Sequence, residues 1–547
     1  MVSHLSWNGR NWHAAYADTG ELNGAQFDSG AAARPDGWFE RRCMLSADRT
    51  ALMDEDTGFT LTYRELAEKV DMAARSLFKL GVRQGDRIGI LTPNDSRLLV
   101  LLFACRRLGA MLVPLNWRLH VEELRHILTD CTPRIVWYHA ESLTAFPGLP
   151  VDSACSWLPL DQLDESIELE RARLAAADEE MCIFPETETA AREDDADIPW
   201  LMIYTGGTTG KPKGVVLTAR SLYWNALNTA ITWQLTETDV TPTVLPMFHT
   251  GGINALTLPV LMSGGKVICV QSFQPERMIG LLEREQCTIV LMVPTMYHLL
   301  VQSPRFADAK FRTMKTFLSG GAPCPMTVYA SFAARCLPFK EGYGATESGP
   351  NNFVIDCGEA LLKPGSVGLP MLFNDVRLIG AGRDVTGPEE VGELALRGKH
   401  LFHSYWNNEE ATAEAWLDGW FLTGDLAKRD KDGYFYIVGR KKDMIITGGE
   451  NVYPLEVEHL LERHPEVGAA AVVGVEHPKW GEIVAAAIVP KPGCQPTAEA
   501  LQAYCALSIA KYKIPKLIKF IEELPKTAVG KLDKKSLFPL FAGGMEE

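Results

Sequence analysis

The stretch YTGGTTGKPKG, residues 204–214, is the most informative motif of the chain. It places four Gly, three Thr and two Lys within eleven residues, after the apolar run PWLMIY and before VVLT. Gly lets a backbone approach an anion closely, Thr hydroxyls and backbone amides donate hydrogen bonds, and Lys adds positive charge. The stretch therefore predicts a loop between two strands that cradles a polyphosphate.

This loop differs from the phosphate loop of the common kinases and ATPases. That motif, Gly-x4-Gly-Lys-Ser/Thr, requires Gly where this chain has Thr205, and Ser or Thr where it has Pro212. A Gly-rich turn without a ligand is the alternative interpretation. The density of Gly, Thr and Lys in so short a stretch favours phosphate binding.

Outside the loop, apolar runs alternate with amphipathic stretches. RIGILTPN, LLVLLFACRRLGA and MLVPLN are typical of a strand, a helix and a strand, and the rhythm recurs at VVLT, GKVICV and TIVLMVP. This pattern predicts an α/β architecture with largely parallel sheets. Near the end of the sequence, PLEVEHLLERH, AAAVVGV, IVAAAIV and a Lys-rich segment predict a separate small α+β domain.

Composition and charge exclude several classes of protein. The 547 residues, 46% hydrophobic and 22% charged, indicate a folded chain of three or four structural units. A net charge of −15 gives no global attraction to nucleic acid, and residues 161–197, with 14 acidic and 3 basic side chains, are expected to form a solvated surface segment. Twelve Cys without a CxxC pair, no secretory signal pattern and no transmembrane segment predict a cytoplasmic protein.

The loop resembles the signature of the adenylate-forming superfamily, which includes acyl-CoA synthetases, the adenylation domains of peptide synthetases and beetle luciferases. Four further motifs follow in that family's order: EGYGATE at 341–347, GWFLTGD at 419–425, GRKKD at 439–443 and PKTAVGK at 525–531. The resemblance spans residues 60–535. One departure is Gly206, where the family usually has Ser or Thr, and the missing hydroxyl is expected to weaken the grip on pyrophosphate.

The resemblance implies an ATP-dependent carboxylic acid:CoA ligase. The acid and ATP would give an acyl-adenylate and pyrophosphate, and a thiol would then give acyl-CoA and AMP. A stand-alone acyl-AMP ligase that passes its adenylate to a carrier protein or a second enzyme is the main alternative. A luciferase-type oxygenase and a noncatalytic nucleotide-sensing protein are more distant ones. The oligomeric state is left open, with a homodimer as one option.

The implied fold has two parts. Residues 1–440 would form the N-terminal adenylating domain, built of α/β subdomains with layered sheets plus a β-barrel-like subdomain. Residues 441–547 would form a small mobile α+β domain that carries the catalytic lysine. Lys442, two residues after the Arg of the GRKKD motif, is the expected hinge between the adenylating and the thiol-transfer arrangements.

The chemistry explains the charges of the implied site. A carboxylate that approaches the α-phosphate of ATP meets like charge, and at ~4 Å each unit-charge repulsion costs ~4 kcal/mol even at an effective dielectric near 20. The resemblance assigns Mg²⁺ to Thr208 and Glu347, and the catalytic role to Lys531, Thr346, Glu347 and His249. The residues implied to bind ATP or AMP are Thr205, Gly206, Gly207, Thr208, Thr209, Gly210, Lys211, Lys213, Gly321, Ala322, Pro323, Gly342, Tyr343, Gly344, Thr346, Asp425, Ile437, Arg440 and Lys531.

The acid and the thiol are assigned to different segments of the chain. The segment LPMFHTGGIN, residues 245–254, has no acidic residue to pair with an ammonium group, so a simple carboxylic acid, first an aliphatic one, is expected. The implied acyl pocket comprises Phe248, His249, Gly251, Gly252, Gly320 and Gly344. The residues implied for CoA are Gly448, Gly449, Glu450, Trp480 and Lys511, and the phosphopantetheine arm of a carrier protein would use the same passage.

Overall fold

The computed structural model describes residues 37–144, 146, 149, 155–176, 196–206, 212–380, 382–526 and 532–541. Its helices are α1 (Trp38–Leu45), α2 (Tyr63–Lys79), α3 (Ser96–Leu108), α4 (Val121–Cys131), α5 (Ala140–Thr144), α6 (Asp161–Ala176), α7 (Ala219–Thr232), α8 (Thr250–Ile253), α9 (Thr257–Ser263), α10 (Pro275–Arg284), α11 (Pro294–Gln302), α12 (Pro304–Asp308), α13 (Met326–Ala334), α14 (Cys357–Leu362), α15 (Glu409–Glu414), α16 (Pro454–Glu462), α17 (Ala498–Ala506) and α18 (Phe538–Phe541).

The strands up to residue 341 are β1 (Thr50–Asp54), β2 (Thr60–Thr62), β3 (Arg87–Leu91), β4 (Met111–Pro114), β5 (Ile135–Tyr138), β6 (Ser156–Pro159), β7 (Pro199–Thr205), β8 (Lys213–Thr218), β9 (Val240–Thr243), β10 (Lys266–Cys269), β11 (Ile289–Met292), β12 (Thr316–Ser319) and β13 (Phe339–Glu341). The later strands are β14 (Phe353–Val354), β15 (Ser366–Pro370), β16 (Asp375–Gly380), β17 (Arg383–Asp384), β18 (Gly392–Arg397), β19 (Ser404–Tyr405), β20 (Trp416–Leu417), β21 (Trp420–Arg429), β22 (Phe435–Arg440), β23 (Ile445–Thr447), β24 (Glu450–Val452), β25 (Val467–His477), β26 (Gly481–Pro490) and β27 (Leu517–Phe520).

Three sheets form the α/β part and contain the parallel pairs that the sequence predicts. The seven-stranded sheet has the order β19-β8-β7-β4-β3-β5-β6, with parallel pairing from β7 to β6. A four-stranded sheet, β2-β1-β10-β9, is parallel from β1 to β9, and the three-stranded sheet β11-β12-β13 is wholly parallel. The predicted strand, helix, strand order at residues 87–114 is confirmed.

Helix α3 lies in the largest apolar core. The side chain of Asp95 accepts a hydrogen bond from the amide of Arg97 and caps the first turn, and Gly109 ends the helix with a φ of +64°. Residues Leu98 to Cys105 are all buried, which explains why this segment has no polar face. A helix that is apolar all round is one that a core encloses.

The large part also contains a fourth sheet, which is antiparallel and has eight strands. Its pairing path is β14-β15-β22-β21-β18-β16-β17, with β20 beside β21. The sheet was expected to be barrel-like, and among the described residues no pairing joins its two end strands, so it is an open sheet. It places the ends of β21 and β22 beside the loops of the α/β part.

The small part begins after β22. Its sheet has the order β24-β23-β26-β25, with β27 parallel to β26, and helices α16 and α17 pack on it over a separate apolar core. The predicted helix and both predicted apolar strands of this region are confirmed, so the fold is a large α/β part with several sheets and a small α+β domain.

The acidic segment is more structured than expected. Residues 161–176 form helix α6, whose Leu163, Ile167 and Glu170 are buried, and Asp164 lies 3.2 Å from the ammonium of Lys69 on α2. Residues 161–176 pack against the large part because the buried residues Leu163, Ile167 and Glu170 recur every three or four positions and so lie on one face of the helix. No helix within the described ranges is both long and apolar enough to cross a membrane.

Candidate active site

Loops that follow parallel strands carry many of the predicted nucleotide residues. Strands β12 and β13 end at Ser319 and Glu341, which are partners in the sheet register. Gly320 and Gly342 therefore begin two adjacent loops, and the amide of Gly342 donates to the carbonyl of Ser319 over 2.8 Å. The carboxyl ends of parallel strands are where open α/β sheets bind ligands.

The first of these loops presents a surface without large side chains. Gly321 has a φ of +85°, in the left-handed region that favours Gly, and Ala322 and Pro323 follow it at the exposed tip. A β-carbon on Gly320 would lie 3.9 Å from the carbonyl oxygen of Gly342, so the two loops run side by side. This arrangement leaves backbone and small side chains facing the space that the resemblance assigns to adenine.

Glu341 was not among the predicted site residues, and its buried carboxylate anchors the loop that follows β12. Its carboxylate accepts hydrogen bonds from the Tyr329 hydroxyl at 2.7 Å and from the Cys324 amide at 3.2 Å. Burial raises the pKa of Glu341 to about 7. A Glu that ends a strand immediately before a Gly-rich turn was the sequence signal for this anchor.

Three motifs that are distant in sequence meet at Asp425. The Tyr343 hydroxyl donates to the Asp425 carboxylate over 2.6 Å, and the Arg440 guanidinium lies 3.3 Å from its other oxygen. Asp425 and Arg440 are register partners on β21 and β22, and the amide of Asp425 donates to the Thr423 hydroxyl. Ile437, also on β22, is partly buried beside them. The sequence predicted these residues but not their direct contacts.

The electrostatics of this cluster suit a ligand with hydroxyl groups. Burial and the neighbouring Asp425 charge raise the pKa of Tyr343, so its phenol keeps the proton that it donates. The Asp425 side chain is nearly buried, while that of Arg440 is about half exposed. A carboxylate held this way can accept hydrogen bonds from two adjacent hydroxyls.

Glu347 contacts a segment that the motifs do not include, residues 402–405. Its carboxylate accepts a hydrogen bond from the Tyr405 hydroxyl at 3.0 Å, and its backbone carbonyl accepts one from the Phe402 amide at 2.8 Å. Burial raises the pKa of Glu347, and the hydrogen bond from Tyr405 opposes that change. The preceding residue, Thr346, is buried. The sequence analysis missed Tyr405, which lies 58 residues away along the chain.

The donor set fits a metal that is bound mainly through its substrate. No group of three or more His, Cys, Asp and Glu side chains that could hold a metal occurs among the described residues. Mg²⁺ commonly takes one or two carboxylates and completes its shell with phosphate oxygens and water. A single partly buried carboxylate at Glu347 therefore fits Mg²⁺ brought with a nucleotide.

The phosphate loop is bounded by two strands, as predicted, and the two strands pair antiparallel. Thr205 at the end of β7 is the register partner of Lys213 at the start of β8. Among the described residues, no atom lies within 4 Å of a β-carbon on Gly206, so their packing does not require Gly there. The predicted residues of this loop that lie outside the described part of the chain are Gly207, Thr208, Thr209, Gly210 and Lys211.

The predicted acyl residues follow strand β9. The rings of Phe248 and His249 lie 4.8 Å apart, and Phe248 is buried. The preceding loop is held by buried Asn94, whose side-chain nitrogen lies within 3.0 Å of the carbonyls of Thr243, Leu245 and Val270 and whose oxygen accepts from the Met247 amide. Asn94 has no motif around it, and only the fold reveals its role.

The glycines of this region serve different purposes. A β-carbon on Gly252 would lie 2.3 Å from the Pro246 carbonyl oxygen, and one on Gly344 would lie 2.3 Å from the Gly349 carbonyl oxygen. Close backbone packing therefore explains why both residues are Gly. Gly251 differs, because among the described residues a β-carbon there would meet only the Leu245 side chain, in a tight contact of 3.2 Å.

Two of the residues implied for CoA, Gly448 and Trp480, contact each other. The Gly448 amide donates to the Trp480 carbonyl over 2.8 Å, and a β-carbon on Gly448 would lie 3.1 Å from the indole ring. Gly448 and Gly449 both have positive φ values, and Glu450, Trp480 and Lys511 are exposed. These five residues belong to one accessible face of the small domain.

The predicted hinge lies where the large part joins the small one. Lys442 is within a 3₁₀ turn, Lys441–Asp443, and burial lowers its pKa. Lys531 lies outside the described residues. Lys526 and Leu532 on either side of its loop form an antiparallel bridge, and the Lys534 ammonium is 2.7 Å from the Glu458 carboxylate just beyond it.

Comparison with known proteins adds independent information. Residues 39–406 match the family described as AMP-binding enzyme, and residues 456–531 match the AMP-binding enzyme C-terminal domain. Feruloyl-CoA synthase from an Amycolatopsis species is 39% identical over 91% of this chain and 97% of the relative. Indoleacetate–CoA ligase from Aromatoleum aromaticum is 34% identical, over 92% and 98%. Long-chain-fatty-acid–CoA ligase FadD13 from Mycobacterium tuberculosis is 34% identical, over 92% and 97%.

Solved structures agree over nearly the whole length. ATP-bound MatB from Rhodopseudomonas palustris superposes with a TM-score of 0.82 at 29% identity, covering 93% of this chain and all of that one. The o-succinylbenzoate-CoA synthetase MenE from Bacillus subtilis, in complex with ATP and magnesium ion, gives a TM-score of 0.78 at 29% identity, covering 92% and 99%. ATP and Mg²⁺ are thus ligands of proteins with this fold.

Proposed function

This chain belongs to the AMP-binding enzyme family and is an ATP-dependent acyl-CoA ligase, which forms an acyl-adenylate and then a thioester, and we propose that its acid substrate carries an aromatic ring. The relatives at 39% and 34% identity include enzymes named for feruloyl and indoleacetate groups. Because these relatives are named for CoA thioesters, they favour the CoA ligase over the stand-alone acyl-AMP ligase.

The observation that carries the proposal is the Phe248–His249 ring pair, followed two residues later by Gly251, which has no side chain. Among the described residues, a β-carbon on Gly251 would contact only the Leu245 side chain, at 3.2 Å. A flat ring needs width close to the carboxylate, whereas a straight alkyl chain needs length. Two aromatic rings beside a residue without a side chain therefore support an aryl group, which would also gain offset or edge contacts with Phe248.

We assign the nucleotide to the loops after β12 and β13. Adenine would lie against Gly321–Pro323, and the ribose hydroxyls would donate to Asp425, which Tyr343 and Arg440 orient. Preorganised polar groups of this kind lower the cost of reaching the transition state. Mg²⁺, held by Glu347 and Thr208, would neutralise part of the phosphate charge.

We assign the attack itself to the closed arrangement of the small domain. Lys531 would then contact the α-phosphate and the acid carboxylate, offsetting the like charges that oppose their approach. Rotation about Lys442 would withdraw Lys531 and bring the exposed face at Gly448 and Trp480 to the adenylate. CoA would enter along that face, with Lys511 near its phosphates.

A matched panel of acids tests the substrate class. Pyrophosphate release is measured with 3-phenylpropanoate and with nonanoate, which have equal carbon number, at saturating Mg·ATP and CoA. We expect the aryl acid to show a kcat/KM about two- to tenfold higher, since contacts between aromatic rings add about 0.5–1.5 kcal/mol. A preference for nonanoate would contradict the proposal.

A variant locates the ring within the pocket. Gly251→Val would place a side chain beside the ring pair, and the Leu245 side chain, 3.2 Å from a β-carbon there, would have to shift by a few tenths of an ångström. We expect turnover of 3-phenylpropanoate to fall several-fold more than turnover of propanoate, which does not reach that position. Equal losses with both acids would place the acyl group elsewhere.

A long-chain aliphatic acid is the second candidate. The relative FadD13, named for long-chain fatty acids, is 34% identical to this chain. That candidate predicts rising kcat/KM from octanoate to hexadecanoate, with no advantage for a ring. The same panel, extended to these two acids, distinguishes the candidates.

A further inference from the structure

Tyr405 joins two parts of the site that the motifs treat as separate. Its hydroxyl donates to the Glu347 carboxylate over 3.0 Å. Its backbone belongs to β19, which pairs with β8, the strand that leaves the phosphate loop, and its register partner there is Val215. The same residue therefore contacts the acidic side chain of one motif and the strand that follows another.

The backbone around Tyr405 is held at several points. The Tyr405 amide donates to the Thr412 hydroxyl over 3.0 Å, and the Trp406 amide donates to the Gly214 carbonyl over 2.7 Å. On the other side, the Phe402 amide donates to the Glu347 carbonyl, and the rings of Phe402 and Tyr405 lie 4.9 Å apart. A short strand fixed in this way gives the phenol a defined position.

The ring of Tyr405 also faces the last lysine of the phosphate loop. The Lys213 ammonium lies 5.0 Å from the ring centroid, within the range of a cation–π contact. Tyr405 thus donates a hydrogen bond to the Glu347 carboxylate through its hydroxyl, while the face of its ring contacts the Lys213 ammonium. The spacing between the loop cation and the Glu347 carboxylate is set by one rigid side chain.

We propose that Tyr405 is a positioning residue that fixes the Glu347 carboxylate relative to the phosphate loop, so that the site accepts Mg²⁺ and nucleotide phosphates together. The inference rests on the proposed role of Glu347 as the metal-binding carboxylate. A Glu side chain has three rotatable bonds, and ordering it on binding costs free energy that a bond made beforehand removes. Tyr405 acts through Glu347 and does not itself contact the substrate.

The test removes the hydroxyl and keeps the ring. In Tyr405→Phe, the Mg²⁺ concentration for half-maximal pyrophosphate exchange, at fixed saturating ATP, is expected to rise about tenfold, because hydrogen bonds to charged groups contribute about 1.5–3 kcal/mol. At saturating Mg²⁺, kcat should stay within about twofold of the unmodified protein. Tyr405→Leu, which also removes the contact with Lys213, should in addition raise the KM for ATP.

A readout without catalysis separates positioning from general damage. The rise in Tm that ATP produces is measured with and without Mg²⁺, in the absence of acid. We expect Tyr405→Phe to lose most of the additional rise due to Mg²⁺ and to keep the rise due to ATP alone. Tyr138→Phe is the matched control, since it removes a phenol from the same sheet far from the phosphate loop, and it should behave like the unmodified protein.

The possible failures are distinguishable. An unchanged Mg²⁺ dependence in Tyr405→Phe, together with a strong shift in Glu347→Gln, would overturn the positioning role and leave the metal assignment intact. An unchanged dependence in both variants would overturn the assignment of Glu347 as well. Equal losses of both thermal shifts in Tyr405→Phe would indicate a role in folding and would also overturn the inference.

Discussion

The nucleotide side and the thiol side of the site differ in how their residues are held. On the nucleotide side, Tyr343, Asp425 and Arg440 bond to one another, and Glu347 accepts a hydrogen bond from Tyr405. On the thiol side, Trp480 is 47% exposed and contacts the Gly448 loop through one backbone hydrogen bond. In the proposed mechanism, adenylation would use groups that are fixed before the substrate arrives, while thiol capture would use a face that the small domain brings into place.

The largest effect is expected for Lys531→Ala, which changes a residue of the small domain and affects the adenylation step. Lys531 belongs to the small domain but is assigned to adenylation, so Lys531→Ala should lower pyrophosphate exchange by about 10²–10³-fold. Thioester formation from added acyl-adenylate should change less than threefold, because that step does not use the lysine. Exchange and thioester formation are measured separately on the same preparation. An unaltered exchange rate would remove Lys531 from the mechanism.

A smaller loss is expected when the bonded cluster is broken. Asp425→Asn removes the charge that Tyr343 and Arg440 contact, and hydrogen bonds to charged groups contribute about 1.5–3 kcal/mol, so kcat/KM for ATP should fall about 10- to 100-fold. KM for CoA should not change. Steady-state kinetics with each substrate varied in turn provide the measurement. Equal losses for ATP and CoA would show that the two sides are not independent.

The hinge variant should affect the opposite side. Lys442→Pro restricts φ at the junction, and we expect the thioester step to slow about tenfold while pyrophosphate exchange changes less than twofold. Lys442→Ala is the matched control, since it removes the charge and leaves the backbone free. Rapid-quench measurement of both half-reactions checks the prediction. A defect of equal size in both steps would argue against a hinge at this residue.

A modest effect is expected at the exposed face itself. Gly448 has a φ of +59° and lies against the indole of Trp480, so Gly448→Ala should raise KM for CoA by a few-fold. Gly493→Ala is the control, because Gly493 also has a positive φ, of +80°, but has no atom within 4 Å of a β-carbon. Both variants should lose similar stability on heating. A raised KM in the control would trace the effect to strain rather than to the passage.

The smallest expected effect is a gain. Gly206→Ser adds a hydroxyl to the phosphate loop at a position where a β-carbon meets no atom of the described residues within 4 Å. We expect KM for pyrophosphate in the reverse reaction to fall about threefold, since a neutral hydrogen bond to an exposed group contributes about 0.7 kcal/mol, at the lower end of its usual range. Gly206→Ala adds the carbon without the hydroxyl and serves as the control. Tighter binding in both variants would assign the gain to reduced loop flexibility.

Motif order predicted which residues matter, but not how they contact one another. The alternation of apolar and amphipathic segments was enough to predict parallel α/β sheets, because burial on both faces leaves continuous apolar strands. Asp425 and Arg440 were predicted from two motifs, while their pairing follows from the β21–β22 register, which no local pattern specifies. Gly252 shows the opposite case, since its requirement comes from a carbonyl of Pro246 that only the folded loop brings near.

The sequence did not predict the residues that hold the loops of the site in place, for the same reason. Asn94, Glu341 and Tyr405 each hold a site loop through bonds to residues distant along the chain or buried in another layer. A single polar residue in an apolar segment signals a buried hydrogen bond, but its partners depend on tertiary packing. The motifs therefore proposed groups for substrate contact, whereas the residues that position those groups became visible only in the fold.

A single-turnover experiment tests the central claim most directly. Enzyme in excess over 3-phenylpropanoate is mixed with Mg·ATP without CoA, and acyl-adenylate and pyrophosphate are quantified before and after a chase with CoA. We expect stoichiometric adenylate and pyrophosphate before the chase, and full conversion to acyl-CoA and AMP after it. Thioester that forms without prior adenylate, or no adenylate from any acid in the panel, would contradict it.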